Sequence, residues 1–328
     1  MLDLLDELTG SAIDETGFTQ PALFALEYSL AQLWMSWGVQ PSAVMGHSVG
    51  EFAAACVAGV MSVEDGIRLI ARRAELMQSL PTGGLMATVM AGESQVREAL
   101  KGYEDRVTVA AFNGPSSTTI SGDQEAVEEL LNKLASQGMK SQRLTTSHAF
   151  HSHRMDSILD QLNEAAAEVD YEQPRIPIVS NLTGQRGELS TFAEPAYWSQ
   201  HARQPVLFHQ GMQVLSEMGC SAFLEIGPQP ILIGMGRRCV ASSSDMCWLS
   251  SLRKGKDDWQ TMLDSLAQLF VAGVNVDWQA FDSSWPRRRC SLPTYPFQRK
   301  RYWVEADPSH LKQQVRRTSS DDSHPLLG

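Results

Sequence analysis

Apolar residues recur at helical spacing over residues 21–37, which predicts an amphipathic helix. Pro21 suits the first turn of such a helix, because the N–H that proline lacks has no helical partner there. A short apolar run at residues 43–45 has the length and composition of a strand. Ser62 is then placed to cap a further helix, which extends to about residue 79.

Residues 83–146 show a different pattern, with shorter elements. Short strand-like segments and segments with helical spacing follow one another here. They predict the order β-α-β-β-α-β, at residues 85–90, 93–100, 107–112, 118–121, 125–137 and 140–144. This is the element order of a ferredoxin-like unit. We therefore predict a ferredoxin-like small subdomain, residues 83–146, inserted into a larger α/β domain, and clefts beside such insertions are common binding sites.

After residue 146 the chain returns to alternating helices and strands. The predicted elements are a helix at 156–167, a strand at 176–181, a loop at 195–209, a helix at 210–218 and a strand at 220–226. Such alternation indicates a mostly parallel sheet with helices on both faces. The predicted fold class is α/β, with an α/β-hydrolase-like large subdomain made of residues 1–82 and 147–250.

Beyond residue 250 the alternation of predicted helices and strands becomes less regular. Residues 251–303 contain one amphipathic helical segment and a stretch of prolines and aromatic residues, so we expect a linker there. Residues 304–328 are polar and charged, a composition typical of disordered chain.

The composition is that of an ordinary globular protein, with 328 residues, 43% hydrophobic and 20% charged. The formal net charge of -11 argues against a nucleic-acid-binding surface. No run approaches the roughly 18 consecutive apolar residues of a membrane-spanning helix, so we expect no membrane segment. The five cysteines are scattered without C-x-x-C spacing, which indicates reduced thiols and a cytoplasmic protein.

A lone serine stands between two glycines directly after the strand at 43–45, in the run Gly46-His47-Ser48-Val49-Gly50. An alanine-rich helical segment follows at once, so the pattern predicts the strand, tight turn and helix of a nucleophile elbow. We expect both glycines to remove Cβ atoms that would clash in so sharp a turn, which leaves Ser48 exposed at its tip. The N-terminus of the helix would favour a developing oxyanion. An ordinary glycine-flanked turn is the alternative.

A serine nucleophile needs a base, and His148, His151 and His153 lie together where the chain leaves the small subdomain. Three interpretations compete. A metal cluster would need a further ligand that the sequence does not supply nearby. Solvated loop histidines are the second possibility, and a general base for Ser48 is the third. We favour the base, because the elbow supplies its partner.

Arg73 is surrounded one helical turn away by apolar residues only: Leu69, Ile70, Leu76 and Met77. It should therefore face an apolar wall, whereas adjacent Arg72 lies on the solvated face. A buried guanidinium needs an anion, and no acid in its own helix is placed to provide one. A substrate carboxylate held by two hydrogen bonds is one candidate, and a structural ion pair with a distant acid is the other.

The chain resembles the acyltransferase domain of a modular type I polyketide synthase in motifs that follow one another in the same order. The resemblance covers most of the chain and rests on residues Gly46 to Glu51, Arg73 to Met77, His148 to Ser152, and the flanking segments Thr19 to Phe24, Glu225 to Pro228 and Leu292 to Phe297.

The resemblance implies a catalytic role for two residues. Ser48 would be acylated by a malonyl thioester, and His151, the last residue of the His-Ala-Phe-His string, would act as general base and then as general acid. The imidazole would be oriented by main-chain carbonyls, so we expect no third catalytic carboxylate. His153 stands where many relatives have proline, which makes it the competing candidate for the base.

The resemblance also implies the substrate-binding residues. Arg73 would hold the free malonyl carboxylate, and the N–H of Val49 would donate to the oxyanion. Phe150 and His148 would lie against the substrate, and the Phe150 ring together with the apolar Val49 implies malonyl rather than methylmalonyl. The domain would bind no metal and no cofactor of its own. Its partners would be malonyl-CoA, the phosphopantetheine of an acyl carrier protein, and neighbouring ketosynthase and dehydratase domains.

Three other functions stay open. A stand-alone malonyl transacylase of fatty-acid synthesis has the same chemistry, but the Pro-Thr-Tyr-Pro segment at 293–296 argues against it. A serine esterase of α/β-hydrolase type has the same elbow, but no convincing acid and histidine pair follows residue 200. A non-catalytic docking scaffold is the third possibility.

The two ends of the chain carry further expectations. Members of the family begin with a strand and a Gly-Gln-Gly turn that supplies a second oxyanion donor, whereas residues 1–18 contain no Gly-Gln-Gly. We therefore expect an N-terminally truncated and impaired enzyme with an exposed sheet edge. Residues 324–328, His-Pro-Leu-Leu-Gly, resemble the start of a dehydratase domain.

Overall fold

The computed structural model of the protein describes residues 11–241, 246–286, 288 and 290–303. A first compact unit ends at Ser284, and a second begins at Trp285. The described part of the second unit contains neither helix nor strand. The expected disordered linker at 304–328 lies outside the described residues, as do the terminal His-Pro-Leu-Leu-Gly and the first ten residues.

The first unit begins with a short 3₁₀ turn at Ser11–Asp14, followed by α1 (Thr16–Ser36), β1 (Val44–Met45), α2 (Gly50–Ala58) and α3 (Val63–Gln78). The predicted helix is confirmed, but it starts earlier, so Pro21 lies inside α1 rather than in its first turn. The predicted cap is also confirmed, since the Ser62 hydroxyl accepts a hydrogen bond from the Asp65 N–H at 3.0 Å.

The next six elements are β2 (Gly84–Val89), α4 (Glu93–Ala99), β3 (Val107–Gly114), β4 (Ser117–Asp123), α5 (Gln124–Ser136) and β5 (Ser141–Arg143). The strands form one antiparallel sheet in the order β3-β4-β2-β5. Both helices pack on it through a shared apolar core, in which Val96 and Leu130 meet Ala87 and Ile120.

The chain continues with a 3₁₀ helix (His153–Ile158), α6 (Leu159–Ala167), β6 (Ile178–Val179), β7 (Arg186–Gly187), α7 (Leu189–Phe192), α8 (Pro195–Arg203), α9 (Phe208–Glu217), β8 (Ala222–Glu225), α10 (Leu232–Gly236) and β9 (Cys247–Ser250). The prediction of a loop at 195–209 is wrong. Pro195 occupies the first turn of α8, where proline is tolerated, and Trp198 and Ala202 bury one face of this helix.

The parallel strands are divided between two small sheets. β1 pairs with β6 in parallel, β6 pairs with β7 in antiparallel fashion, and β8 pairs with β9 in parallel. The prediction of one mostly parallel sheet is therefore corrected for the described residues. The parallel pairs are each only two to four residues long, which a sequence pattern does not specify.

The first unit ends with α11 (Asp258–Val271) and α12 (Trp278–Asp282). The expected start of the linker at residue 251 falls inside this unit, because Met262 and Leu266 of α11 are buried against Leu30 and Trp34 of α1. The Trp34 indole N–H also donates to the Ser251 hydroxyl at 2.9 Å. None of the described helices has the length and apolar character needed to cross a membrane.

Candidate active site

Ser48 lies in the sharp turn between β1 and α2, as predicted. A Cβ at Gly46 would come within 2.1 Å of the Glu51 backbone nitrogen, so only glycine fits there. The prediction for Gly50 is wrong, because a Cβ at that position would meet only the Glu27 carboxylate at an ordinary 3.5 Å. The tightness of the turn therefore depends on Gly46.

Ser48 and His151 are joined by a hydrogen bond of 2.8 Å between Oγ and Nε2. They are also the only two non-glycine residues with positive φ in the part of the chain that the structure describes, at 49° and 54°. Backbone conformations of this kind persist only where the surroundings hold them, and they concentrate at functional sites. The backbone of His151 is held by the Thr108 hydroxyl of β3, which donates to the His151 carbonyl at 3.1 Å.

The orientation of the His151 ring is fixed from its other nitrogen. Nδ1 lies 2.9 Å from the main-chain carbonyl of Gln204, directly after α8. A carbonyl only accepts, so Nδ1 carries the proton and Nε2 presents its lone pair to the Ser48 hydroxyl. This is the arrangement that a general base requires. Gln204 was missed because a main-chain contact leaves no side-chain signal in a sequence.

Burial, the neighbouring His201 and the guanidinium of Arg73 together hold the pKa of His151 well below its usual value of 6.5. The hydrogen bond from Nδ1 to Gln204 opposes this shift, but burial is the stronger influence. The ring is therefore neutral at pH 7 and able to accept a proton.

Arg73 is only 2% exposed, and its Nη2 lies 3.4 Å from the Ser48 Oγ. Its Nη1 donates to the Gln20 side-chain oxygen, while Nε is buried without a partner among the described residues. No carboxylate is among the hydrogen-bond partners of Arg73 within the described residues, where Gln20 and Ser48 are its side-chain partners. Burial lowers the pKa of Arg73 to about 10, so the group stays charged at neutral pH.

Gln20 was also missed as a site residue. It lies on α1 and is buried, and its side-chain amide also donates to the Thr16 hydroxyl at 2.6 Å. Because its oxygen is a neutral acceptor, it orients the guanidinium without neutralising it. The charge of Arg73 is thus left available beside Ser48.

The remaining predicted residues occupy different surroundings. Val49 and Phe150 are half-buried and pack against the same core cluster. His148 is buried, and its two ring nitrogens lie 2.9 Å from the Ser147 hydroxyl and 3.0 Å from the Leu80 carbonyl. Its described hydrogen bonds do not reach Ser48, so the structure does not bring His148 together with the nucleophile.

His153 faces away from the elbow, since its Nε2 lies 3.3 Å from a carboxylate oxygen of Asp123. His151, not His153, therefore contacts Ser48. Among the residues that the structure describes, no three or more histidine, cysteine, aspartate or glutamate side chains form a group able to hold a metal ion.

Ser48, His151 and Arg73 thus form an oriented serine–imidazole pair beside a buried cation. Such a pair can form and cleave an ester, and the cation can bind an anionic group of the acyl donor. Comparison with known proteins agrees with this chemistry, because residues 1–276 match the family model described as "Acyl transferase domain".

The chain belongs to the acyl transferase domain family. This acyltransferase domain is 40% identical over 303 residues to the polyketide synthase GfsA of Streptomyces halstedii, and the match covers 92% of the chain and 4% of the relative. It is 41% identical over 295 residues to the mycoketide-CoA synthase of Mycobacterium tuberculosis, covering 90% of the chain and 7% of that protein. The chain thus spans a small part of the long relatives that it matches.

Solved structures agree with the family. The acyltransferase domain of the second module of the salinomycin polyketide synthase is 44% identical, with a TM-score of 0.83 over 90% of this chain and 70% of that chain. FabD from Acinetobacter baumannii is 26% identical, with a TM-score of 0.73 over 81% of this chain and 84% of that chain. The higher identity and TM-score favour an acyltransferase domain of the polyketide synthase type.

Proposed function

We propose that this acyltransferase domain transfers a malonyl group from malonyl-CoA to the phosphopantetheine thiol of an acyl carrier protein, through an ester on Ser48. The buried guanidinium of Arg73 carries this proposal. It lies 3.4 Å from the Ser48 Oγ, and its described partners include no carboxylate. Because a buried cation is costly without an anion, a donor that brings its own carboxylate suits this site best.

The proposed reaction has two half-reactions with balanced proton transfers. His151 Nε2 takes the Ser48 proton as Oγ attacks the thioester carbonyl, the C–S bond breaks, and coenzyme A leaves as a thiol with that proton. The carrier thiol then gives its proton to Nε2, its sulfur attacks the ester, the C–O bond breaks, and Oγ recovers the proton. The N–H of Val49, which directly precedes α2, would donate to each oxyanion.

Incubation with radiolabelled malonyl-CoA followed by denaturing gel electrophoresis tests this function. A labelled protein band that loses its label on addition of an acyl carrier protein bearing phosphopantetheine supports both half-reactions. A band that is never labelled contradicts the proposal, and release of free malonate without a carrier favours the esterase alternative.

The rate of Ser48 acylation should stay nearly constant as the pH falls from 8 through 6.5, and decline only at lower pH. The base must be neutral, and a histidine whose pKa is held well below 6.5 remains neutral until the pH falls through that lowered value. Single-turnover labelling across this pH range measures the profile. A midpoint near 6.5 would show that His151 titrates as an unperturbed imidazole and would contradict the expectation.

The extender unit should be malonyl rather than methylmalonyl. Phe150 is half-buried and directly precedes His151 in the chain, and in this proposal its ring would occupy the space that an α-methyl group needs. One methyl group in a tight pocket changes selectivity by about 10- to 200-fold. Competition between the two CoA esters for labelling measures this preference, and Phe150→Ser should reduce it. Equal loading of both esters by the unmodified protein would contradict the assignment.

We further propose a domain organisation with a large α/β-hydrolase-like part, residues 1–82 and 147–250, and an inserted ferredoxin-like subdomain, residues 83–146. The sheet order β3-β4-β2-β5 with two helices on it supports the insertion. We also propose that the protein is cytoplasmic and that a ketosynthase, a carrier protein and a dehydratase are its partners. The match to a small part of long polyketide synthases supports a multidomain setting. No resident cofactor has a role in this proposal.

A further inference from the structure

Asn181 follows β6 and bridges two peptide groups of the elbow with one side chain. Its Oδ1 accepts a hydrogen bond from the Ser48 N–H at 2.8 Å, and its Nδ2 donates to the Gly46 carbonyl at 2.9 Å. An N–H only donates and a carbonyl only accepts, so the orientation of the amide is unambiguous. The residue is 1% exposed, so water does not compete for these contacts.

Asn181 binds the backbone N–H of Ser48, a residue with an unfavourable backbone conformation. Ser48 has a φ of 49°, a conformation that non-glycine residues adopt rarely and only when their surroundings impose it. The direction of the Ser48 Cα–Cβ bond follows from this backbone conformation. A shift of the Ser48 peptide would therefore move Oγ relative to His151 Nε2, which lies 2.8 Å away.

Glu51 fixes Asn181 in turn. It lies in the first turn of α2, is fully buried, and accepts the Asn181 backbone N–H at 2.7 Å through Oε2. Its Oε1 accepts the Tyr197 hydroxyl, whose oxygen also lies 2.8 Å from the Ser180 hydroxyl. The elbow, the helix that follows it and the end of β6 thus form one closed, buried hydrogen-bonded ring.

We propose that Asn181 is a positioning residue for Ser48, and that Glu51 holds Asn181 in place. The inference rests on the proposed role of Ser48 as the nucleophile. Asn181 does not touch the substrate. It acts by fixing the backbone from which Oγ projects, so its loss should lower the rate of acylation and leave the binding of malonyl-CoA by Arg73 unchanged.

Single-turnover acylation of the full chain over a range of malonyl-CoA concentrations tests this role. Asn181→Ala should lower the saturating rate about 10- to 100-fold, because a small misplacement of a reacting group has an effect of this size. The half-saturating concentration should stay within about twofold. Thr183→Ala is the matched control: it lies on the exposed side of the same turn and should behave as the unmodified protein.

Asn181→Asp supplies a second readout within one folded protein. A protonated aspartate has one acceptor and one donor, as the asparagine side chain does, whereas an ionised one cannot donate to the Gly46 carbonyl. The titratable groups of α8 that face Glu51 are the Tyr197 hydroxyl and the His201 Nε2, which lies 3.6 Å from Oε2. Burial beside the Glu51 carboxylate should raise the pKa of the new carboxyl group. The acylation rate of Asn181→Asp, divided by that of the unmodified protein at the same pH, should therefore rise as the pH falls from 8 to 6.5.

The outcomes separate the inference from the function on which it rests. If the unmodified protein is not labelled at Ser48, the proposed function fails. If it is labelled, the inference is overturned when Asn181→Ala keeps its saturating rate, or when the ratio for Asn181→Asp is independent of pH. A loss of rate that only follows the fraction of unfolded protein, measured by thermal melting, would also overturn it and leave Asn181 a structural residue.

Discussion

Ser48→Ala is expected to abolish covalent labelling by malonyl-CoA, and His151→Ala to slow labelling of Ser48 by about 10²- to 10⁴-fold. Ser48 Oγ is the atom of this protein that carries the acyl group in the proposed reaction. The histidine provides the lone pair that removes its proton, across the 2.8 Å contact between Nε2 and Oγ. Rapid quenching followed by scintillation counting of the protein band measures both effects.

His153→Ala and His148→Ala are the matched controls for the base. His153 pairs with Asp123, and His148 is bound to Leu80 and Ser147, so neither should change the rate by more than a few-fold. An inactive His153→Ala beside an active His151→Ala would reverse the assignment of the base. Labelling that persists in Ser48→Ala would show that another residue accepts the acyl group.

Arg73→Ala should lose malonyl loading by about 10²- to 10⁴-fold, while acetyl loading holds or improves. Hydrogen bonds to a charged group contribute roughly 1.5–3 kcal/mol each, and the proposed carboxylate contact would lose both of its bonds. Acetyl-CoA has no carboxylate and gains nothing from the guanidinium. Parallel labelling with the two radiolabelled CoA esters gives the ratio directly.

Arg72→Ala is the control for this change, because Arg72 lies on the same helix but is partly exposed and paired with Glu75. It should leave both loading rates unchanged. Equal losses of malonyl and acetyl loading in Arg73→Ala, or a protein that does not fold, would mean that Arg73 supports the structure through Gln20 rather than selecting the substrate.

Local patterns in the sequence predicted the elements that surround the site. The glycine-flanked Ser48 gave the elbow because a turn of this kind is encoded within five consecutive residues. Arg73 was predicted to be buried because helical periodicity defines which face a residue occupies. The order of elements in residues 83–146 also follows from local alternation.

Contacts between distant residues were not predictable in the same way. Gln20 meets Arg73 across 53 residues, and Asn181 meets Ser48 across 133 residues. Neither polar residue belongs to a periodic pattern, and a hydrogen bond between two helices or strands depends on how they pack. The helix at Pro195–Arg203 was missed because its apolar face, with Trp198 and Ala202, is interrupted by polar and charged residues.

The positive φ angles of Ser48 and His151 have a consequence for directed evolution of this domain. Glycine is the residue that adopts such a conformation without steric cost, and relief of a strained backbone is worth on the order of 1–3 kcal/mol at each position. A library screened for thermal tolerance alone would therefore enrich glycine at both positions. Variants with glycine at both positions would lack the Ser48 hydroxyl and the His151 imidazole. Thermal stability and catalytic activity must therefore be selected together.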